Sequence, residues 1–214
     1  MIVEVCLPSG RACTVTLAPE SRGSELKIAA QQHFQLSFLR LVVRGRQLDL
    51  GSTLSQAGLK DQDTVDAIVQ RATLAATDRA FALYVAGGSV VTWGVAGSGG
   101  DSRAVQGQLT GVRHVQAASC AFAALCEDGT VITWGAPYGG NSSAVQGQLT
   151  GVRHIQANTC SFAAIREDGT VISWGNPECG GDTSAVRGQL TGVCQIQSAT
   201  FAFAAIREDG TVIT

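Results

Sequence analysis

Apolar and polar residues alternate from the first residues onward. Ile2, Val3, Val5 and Leu7 form one apolar run, and Cys13, Val15 and Leu17 interleave with Thr14 and Thr16 in the next. Pro8-Ser9-Gly10-Arg11 between them is turn chemistry, so the two runs predict a β-hairpin with one buried face. The period then changes. Leu26, Ala29, Ala30, His33 and Phe34 fall at i, i+3, i+4, i+7 and i+8, with Ser24 as the expected N-cap, which is the stripe of a helix lying on a sheet. Leu39, Leu41 and Val43 return to period two. Gly45-Arg46-Gln47-Leu48 predicts a turn and a short strand, 53–59 a tight helical turn, and 64–69 a last strand. The order ββαββ, with the helix across one face of the sheet, predicts an α+β β-grasp domain over residues 1–71.

From residue 72 the pattern is short apolar runs punctuated by glycine, and it repeats. Glu167-Asp168-Gly169-Thr170-Val171-Ile172-Ser173-Trp174-Gly175 has a near copy at 127–135, a looser one at 86–94 and a fourth that starts at Glu208 and stops at Thr214. Trp93 to Trp134 is 41 residues and Trp134 to Trp174 is 40. A fixed period of this size signals a propeller, a solenoid or another array. Each unit reads as four short strands, in the clearest copy 152–157, 161–166, 170–174 and 184–190, with Asp168-Gly169 as a strong hairpin signal. Four strands in about 40 residues is the size of a propeller blade.

The predicted second domain is therefore an all-β repeat domain over 72–214, a partial, open β-propeller of about three four-stranded blades. Its copies span about 72–112, 112–151, 152–192 and, truncated, 193–214. Closure takes about four to eight blades. The expectation is thus a fragment of a longer chain, with self-association as the other route to closure.

Composition removes several classes of function. A net charge of −2 with 15% charged residues gives no electrostatic footprint for nucleic acid or anionic lipid. No apolar run approaches 18 residues, and Met1-Ile2-Val3-Glu4-Val5 lacks the basic and apolar regions of a signal peptide. Seven cysteines without a close CxxC pair point to reduced thiols in the cytosol or nucleus.

The repeat also dissolves most candidate chemistry. His114 and His154 give way to Gln195 in the next copy, which a metal site does not easily tolerate. Cys120 and Cys160 give way to Phe201, which suggests a buried apolar slot, and Cys126, Cys179 and Cys194 each occur in one copy without a regular partner. The run Gly94 to Asp101 lacks the Lys-Ser/Thr ending of a phosphate loop. The Glu-Asp pairs at 127, 167 and 208 read as solvated turn residues, and Trp93, Trp134 and Trp174 as core packing. No catalytic residue, cofactor or metal is expected.

Two resemblances add to this reading. Leu39-Arg40-Leu41-Val42-Val43-Arg44-Gly45-Arg46-Gln47-Leu48-Asp49, followed by Thr53-Leu54-Ser55 and Thr64-Val65, resembles ubiquitin and ubiquitin-like domains across 1–71. The resemblance implies a reader-binding apolar patch at Pro8, Val42 and Ile68, flanked by Arg40 and Gly45. Asp66 stands where ubiquitin has a histidine, and Val69-Gln70-Arg71-Ala72-Thr73 has no Gly-Gly, so the domain is built in and not conjugated. The motif Asp-Gly-x-Val-x-x-Trp-Gly, with Val-x-x-x-Leu-x-x-Val-x-x-Ile upstream of the next copy, resembles the repeats of the regulator of chromosome condensation family. That family forms seven-bladed propellers, some of them guanine nucleotide exchange factors and others recognition domains of HECT-type ubiquitin ligases. Here Gly181 and Asp182 replace the family's Gln-Leu, and its inner-strand histidine aligns with Ala121, Ser161 and Ala202.

The function expected is that of a non-enzymatic adaptor. Its ubiquitin-like domain would dock ubiquitin-binding domains or proteasomal or ligase components, and its blades would hold a protein client, without nucleic acid, membrane or small molecule. The alternatives are regulation of a small GTPase by nucleotide exchange and the front end of a larger ubiquitin ligase.

Overall fold

Strands β1 (Ile2–Cys6) and β2 (Ala12–Thr16) pair antiparallel with Val3 opposite Val15 and Val5 opposite Cys13, all four turned inward. In the computed structural model, which describes residues 1–85 and 88–214, the chain divides into two compact units, Met1–Arg71 and Ala72–Thr214. Helix α1 (Gly23–Phe34) follows β2. Strands β3 (Leu39–Val43), β4 (Arg46–Gln47) and β5 (Asp63–Val69) complete a sheet of order β2-β1-β5-β3-β4, with β1 and β5 parallel. Leu26, Ala30 and Phe34 of α1 meet Val3, Val5, Leu39, Leu41, Val65 and Ala67 in a single core, so one sheet face is covered and the other is open.

The helix starts one residue before the expected cap. Arg22 N–H donates to the Glu25 carboxylate at 3.1 Å, and the amides of Gly23 and Ser24 donate to the carbonyls of Ser52 and Leu50. The free amides of the first turn are thereby satisfied without the Ser24 hydroxyl as cap. Residues 54–58 form turns, not a helix, and bury Leu54.

The second unit consists of four three-stranded antiparallel sheets. They are β6 (Ala72–Ala76), β7 (Ala80–Val85) and β8 (Val90–Gly94); β9 (Val112–Ala117), β10 (Ala121–Cys126) and β11 (Val131–Gly135); β12 (Val152–Ala157), β13 (Ser161–Arg166) and β14 (Val171–Gly175); and β15 (Val193–Ser198), β16 (Phe203–Arg207) and β17 (Val212–Ile213). The looser motif copy at 86–94 begins on residues 86 and 87, which lie outside the described residues.

Consecutive sheets bury apolar faces against each other. Ala80, Ala82, Tyr84 and Val90 of the first sheet share a core with Phe122, Ala124 and Trp134 of the second, and Ala121, Ala123 and Val131 of the second meet Phe162, Ala164 and Trp174 of the third. Within each of the first three sheets a phenylalanine faces the tryptophan directly across the ladder, with stacked centroids 5.5 Å apart for Phe81–Trp93, 5.2 Å for Phe122–Trp134 and 5.3 Å for Phe162–Trp174. The indole N–H of Trp134 then donates to the Gly99 carbonyl at 3.0 Å, and that of Trp174 to Gly139 at 3.0 Å, reaching into the preceding repeat each time. Only glycine permits this approach: a Cβ on Gly99 or Gly139 would stand 2.6 Å or 3.0 Å from the ring of Phe122 or Phe162. Trp134 and Trp174 are 5% and 3% exposed, whereas Trp93, in the first repeat, is 45% exposed.

The expectation of about three four-stranded blades is corrected in two respects. The sheets have three strands each, and the short last copy forms a fourth sheet. The segment read as the fourth strand is a 3-10 turn at Gln106–Gln108 and Gln146–Gln148. A side chain does there what a strand's amides would do: Gln106 Nε2 donates to the Val90 carbonyl at 3.1 Å and Gln146 Nε2 to Val131 at 3.0 Å, while their Oε1 atoms accept from Ser102 and Ser142.

The Asp-Gly turns form as their sequence demands. Asp168 Oδ1 accepts from the Thr170 amide at 2.9 Å and its hydroxyl at 2.6 Å, and Asp128 and Asp209 do the same with Thr130 and Thr211. The threonine hydroxyl, and then its amide, hold all three carboxyls below the ordinary value.

Trp174→Phe keeps the stack and removes the N–H donor, leaving the buried Gly139 carbonyl without it. The expected loss is about 1–3 kcal/mol in urea denaturation, against less than about 0.5 kcal/mol for Trp93→Phe at the exposed position.

Candidate functional site

Period-two alternation decides which residues reach the open face of the first unit. Val3, Val5, Leu39, Leu41, Val65 and Ala67 point to the helix, so Glu4, Cys6, Arg40, Val42, Asp66 and Ile68 point away from it. In the antiparallel β3–β5 ladder Arg40 lies directly across from Ile68 and Val42 across from Asp66. Val42 and Ile68 are thus diagonal neighbours on one face, roughly 7–8 Å apart in such a ladder. Ile68 is 43% exposed and Val42 half-buried.

Gly45 sits in the two-residue turn between β3 and β4, where Arg44 and Gly45 have φ of 51° and 77°. Both positive angles are those of a type I′ hairpin, which favours glycine at the second place. Pro8 is exposed in the β1–β2 turn, two residues past Cys6, whose partner in β5 is Asp66. Arg40, Val42 and Ile68 therefore share one face, with Pro8 and Gly45 in exposed turns off the ends of its strands.

The electrostatics of this face are mixed. Burial raises the Cys6 thiol above its ordinary value, and the carboxylates of Glu4 and Asp66 push it the same way. Asp66 places negative charge beside Val42, while Arg44 pairs with Asp63 at 3.1 Å on the surface, a contact worth little by itself. The face thus presents an apolar pair, Val42 and Ile68, flanked by Arg40 and Asp66 of opposite charge. Among the described residues no group of three His, Cys, Asp or Glu side chains stands close enough to hold a metal ion, and no helix is long and apolar enough to cross a membrane.

In the repeats the histidine position is a strand surface, as expected: His114 Nδ1 lies 3.2 Å from the Tyr84 hydroxyl and Nε2 lies 3.3 Å from Gln116 Oε1. The cysteine position is not the buried slot that its exchange for Phe201 suggested. Cys120 and Cys160 are partly exposed, and Phe201 is 58% exposed, because this position precedes the sheet at its rim.

Sequence reasoning also missed a pairing. Cys179, read as partnerless, brings its Sγ to 2.8 Å from Cys160 Sγ. Asn158 holds the two together: its Oδ1 accepts from the amides of Cys160 at 3.0 Å and Ser161 at 2.8 Å, and its Nδ2 donates to the Cys179 carbonyl at 2.7 Å. The signal was in the repeat, since this is the one copy with cysteine at both places, but the 19-residue separation hid the contact. Burial, and then the neighbouring Cys179 thiol, push the Cys160 thiol up to about 11.

No model of a known protein family matches the chain, and no curated protein matches it.

Alkylation of Cys160 by iodoacetamide is expected to be slow at pH 7 and to rise about tenfold per pH unit up to about pH 10, because only the thiolate reacts. Site-resolved mass spectrometry of the pH-dependent rates checks this; a plateau at Cys160 by pH 9 would contradict the elevated pKa.

Proposed function

We propose that this chain is a non-enzymatic adaptor whose first unit is a ubiquitin-like β-grasp and whose second is an array of propeller-type blades. The first unit docks ubiquitin-binding domains, or proteasomal or ligase components, and the blades hold a protein client in the cytosol or nucleus. The observation that carries the reading is the open sheet face, where exposed Ile68 lies across from Arg40 and diagonal to Val42. Two features support it. The order β2-β1-β5-β3-β4, with β1 and β5 parallel and a helix on one face, is the arrangement a β-grasp requires. The unit also runs directly into β6 through residues 69–73, where no Gly-Gly is available for conjugation, so its use is as a fixed docking module.

For the blades, the support is the repeated Phe–Trp stack on a glycine carbonyl, which builds a scaffold from packing contacts that recur from repeat to repeat. Such a scaffold presents its connections and outer rims to other proteins.

The test is a titration of the isotope-labelled whole chain with a helical ubiquitin-binding peptide. Shifts should cluster at Arg40, Val42, Asp66 and Ile68, and Ile68→Ala should weaken binding about tenfold or more, as truncation of a central contact does. Unmoved signals at these residues with saturating peptide would end the docking proposal.

A further inference from the structure

The four repeats can be superposed in sequence on the phenylalanines Phe81, Phe122, Phe162 and Phe203. Two residues before each stand Arg79, Cys120, Cys160 and Phe201; before the glycine of each connection stand Ser98, Tyr138 and Cys179. The third repeat alone has a cysteine in both places, and there the Sγ atoms are 2.8 Å apart. Cys160 is partly exposed and Cys179 is buried.

The backbone on both sides is fixed. Asn158, itself buried, bridges the Cys160 amide and the Cys179 carbonyl; the Asn176 amide donates to the Cys160 carbonyl at 3.0 Å; and the Cys179 amide donates to the Asn176 carbonyl at 3.0 Å. The first repeat ties the same two segments with Thr77, whose hydroxyl donates to the Ser98 carbonyl at 3.0 Å and accepts from the Ala80 amide at 2.9 Å. The second has Ala118 at this place and hence no side chain to make the tie. The segments that meet here are therefore held together by the fold, whether or not they carry thiols.

We propose that Cys160 and Cys179 form a dithiol modification site that a low-molecular-weight disulfide such as oxidised glutathione closes reversibly to an intrachain disulfide. Cys160, the more accessible thiol, gives its proton to solvent and attacks one sulfur of the oxidant. A mixed disulfide forms at Cys160 and one small thiolate leaves. Cys179 then loses its proton and attacks Cys160 Sγ, so the Cys160–Cys179 bond forms and the second small thiolate leaves. The protein loses two electrons and two protons, and the oxidant becomes two thiols.

Holding both sulfurs in place makes the second step intramolecular, which favours closure over a lasting mixed disulfide. The cross-link fixes the Pro177–Cys179 turn to the start of β13. That turn leads into Gly180, which with Phe201, Phe203 and Ile213 lines an apolar cavity of about 270 Å³ beside the last sheet, so oxidation also fixes one wall of that cavity.

The whole chain, equilibrated in glutathione buffers of graded GSSG fraction, trapped with maleimide and mapped without reduction, tests the site. The expected result is joint loss of the labels at Cys160 and Cys179, separate from the mixed disulfide that exposed Cys194 forms, with recovery of one cross-linked peptide pair containing Cys160 and Cys179 and return of both labels with dithiothreitol. Cys120 serves as the internal control, since it holds the same place in the second repeat, whose connection carries Tyr138 where the third has Cys179. In Cys179→Ser, Cys160 should persist as the glutathione mixed disulfide. The proposal is overturned if both cysteines remain fully labelled in buffers that have already modified exposed Cys194. It is equally overturned if the recovered cross-link joins another pair, or if Cys160 in the unsubstituted chain stops at the mixed disulfide.

Discussion

A tryptophan that stacks on the phenylalanine across its own ladder and donates its indole N–H to a glycine carbonyl of the repeat before it is the contact on which the second unit depends. No single repeat can bury its own Phe–Trp pair, because three short strands have only one another on each face. Stacking sheet on sheet supplies the missing cover. The result is visible in Phe122 and Phe162, both fully buried, and in Trp134 and Trp174, both nearly so. The ring burial is worth about 1.5–3 kcal/mol per side chain, the aromatic pair about 0.5–1.5 kcal/mol, and the indole hydrogen bond adds direction: it sets which glycine of which repeat the ring must meet. Gly99 and Gly139 are therefore part of the same device, since a side chain at either place would occupy the phenylalanine ring's space.

Much of this was legible in the residues. Val3, Val5, Cys13 and Val15 announce their inward face by alternation, and Leu26, Ala30 and Phe34 theirs by helical spacing, so the first unit's layers follow from local pattern. The Asp-Gly turns were legible because their geometry is local: Asp168 reaches its own Thr170. The fourth strand was misread for an equally physical reason. Ser184 to Leu190 and its copies have strand-like apolar residues, but in the first two copies Gln106 and Gln146 satisfy the edge carbonyls of Val90 and Val131 with side-chain amides, so no backbone ladder is needed there, and the third copy, with Arg187 at that place, forms turns as well. The Cys160–Cys179 contact was missed because closeness across a turn depends on Asn158 and Asn176, and no spacing rule encodes that.

The candidate docking face shows the same division. That Val42 and Ile68 share a face follows from strand period and could be placed from sequence; that Arg40 stands directly across from Ile68 required the register. Asp66 sits across from Val42 and places negative charge next to the apolar pair. The two units thus use apolar surface in opposite ways. The repeats hide it between sheets, and the first unit leaves a small part of it open on a sheet whose other face already supplies stability.

If sheet-on-sheet cover is what holds the repeats, protection must depend on position in the stack. Hydrogen exchange of the whole chain, read by mass spectrometry peptide by peptide, measures this directly. Strand β10, buried along its whole length, and β13, buried at all but its last residue, should exchange slowest, and β7 and β16, with neighbours on fewer sides, clearly faster. Equal protection of all four strands would contradict the account, because it would mean that each sheet is stable without the next.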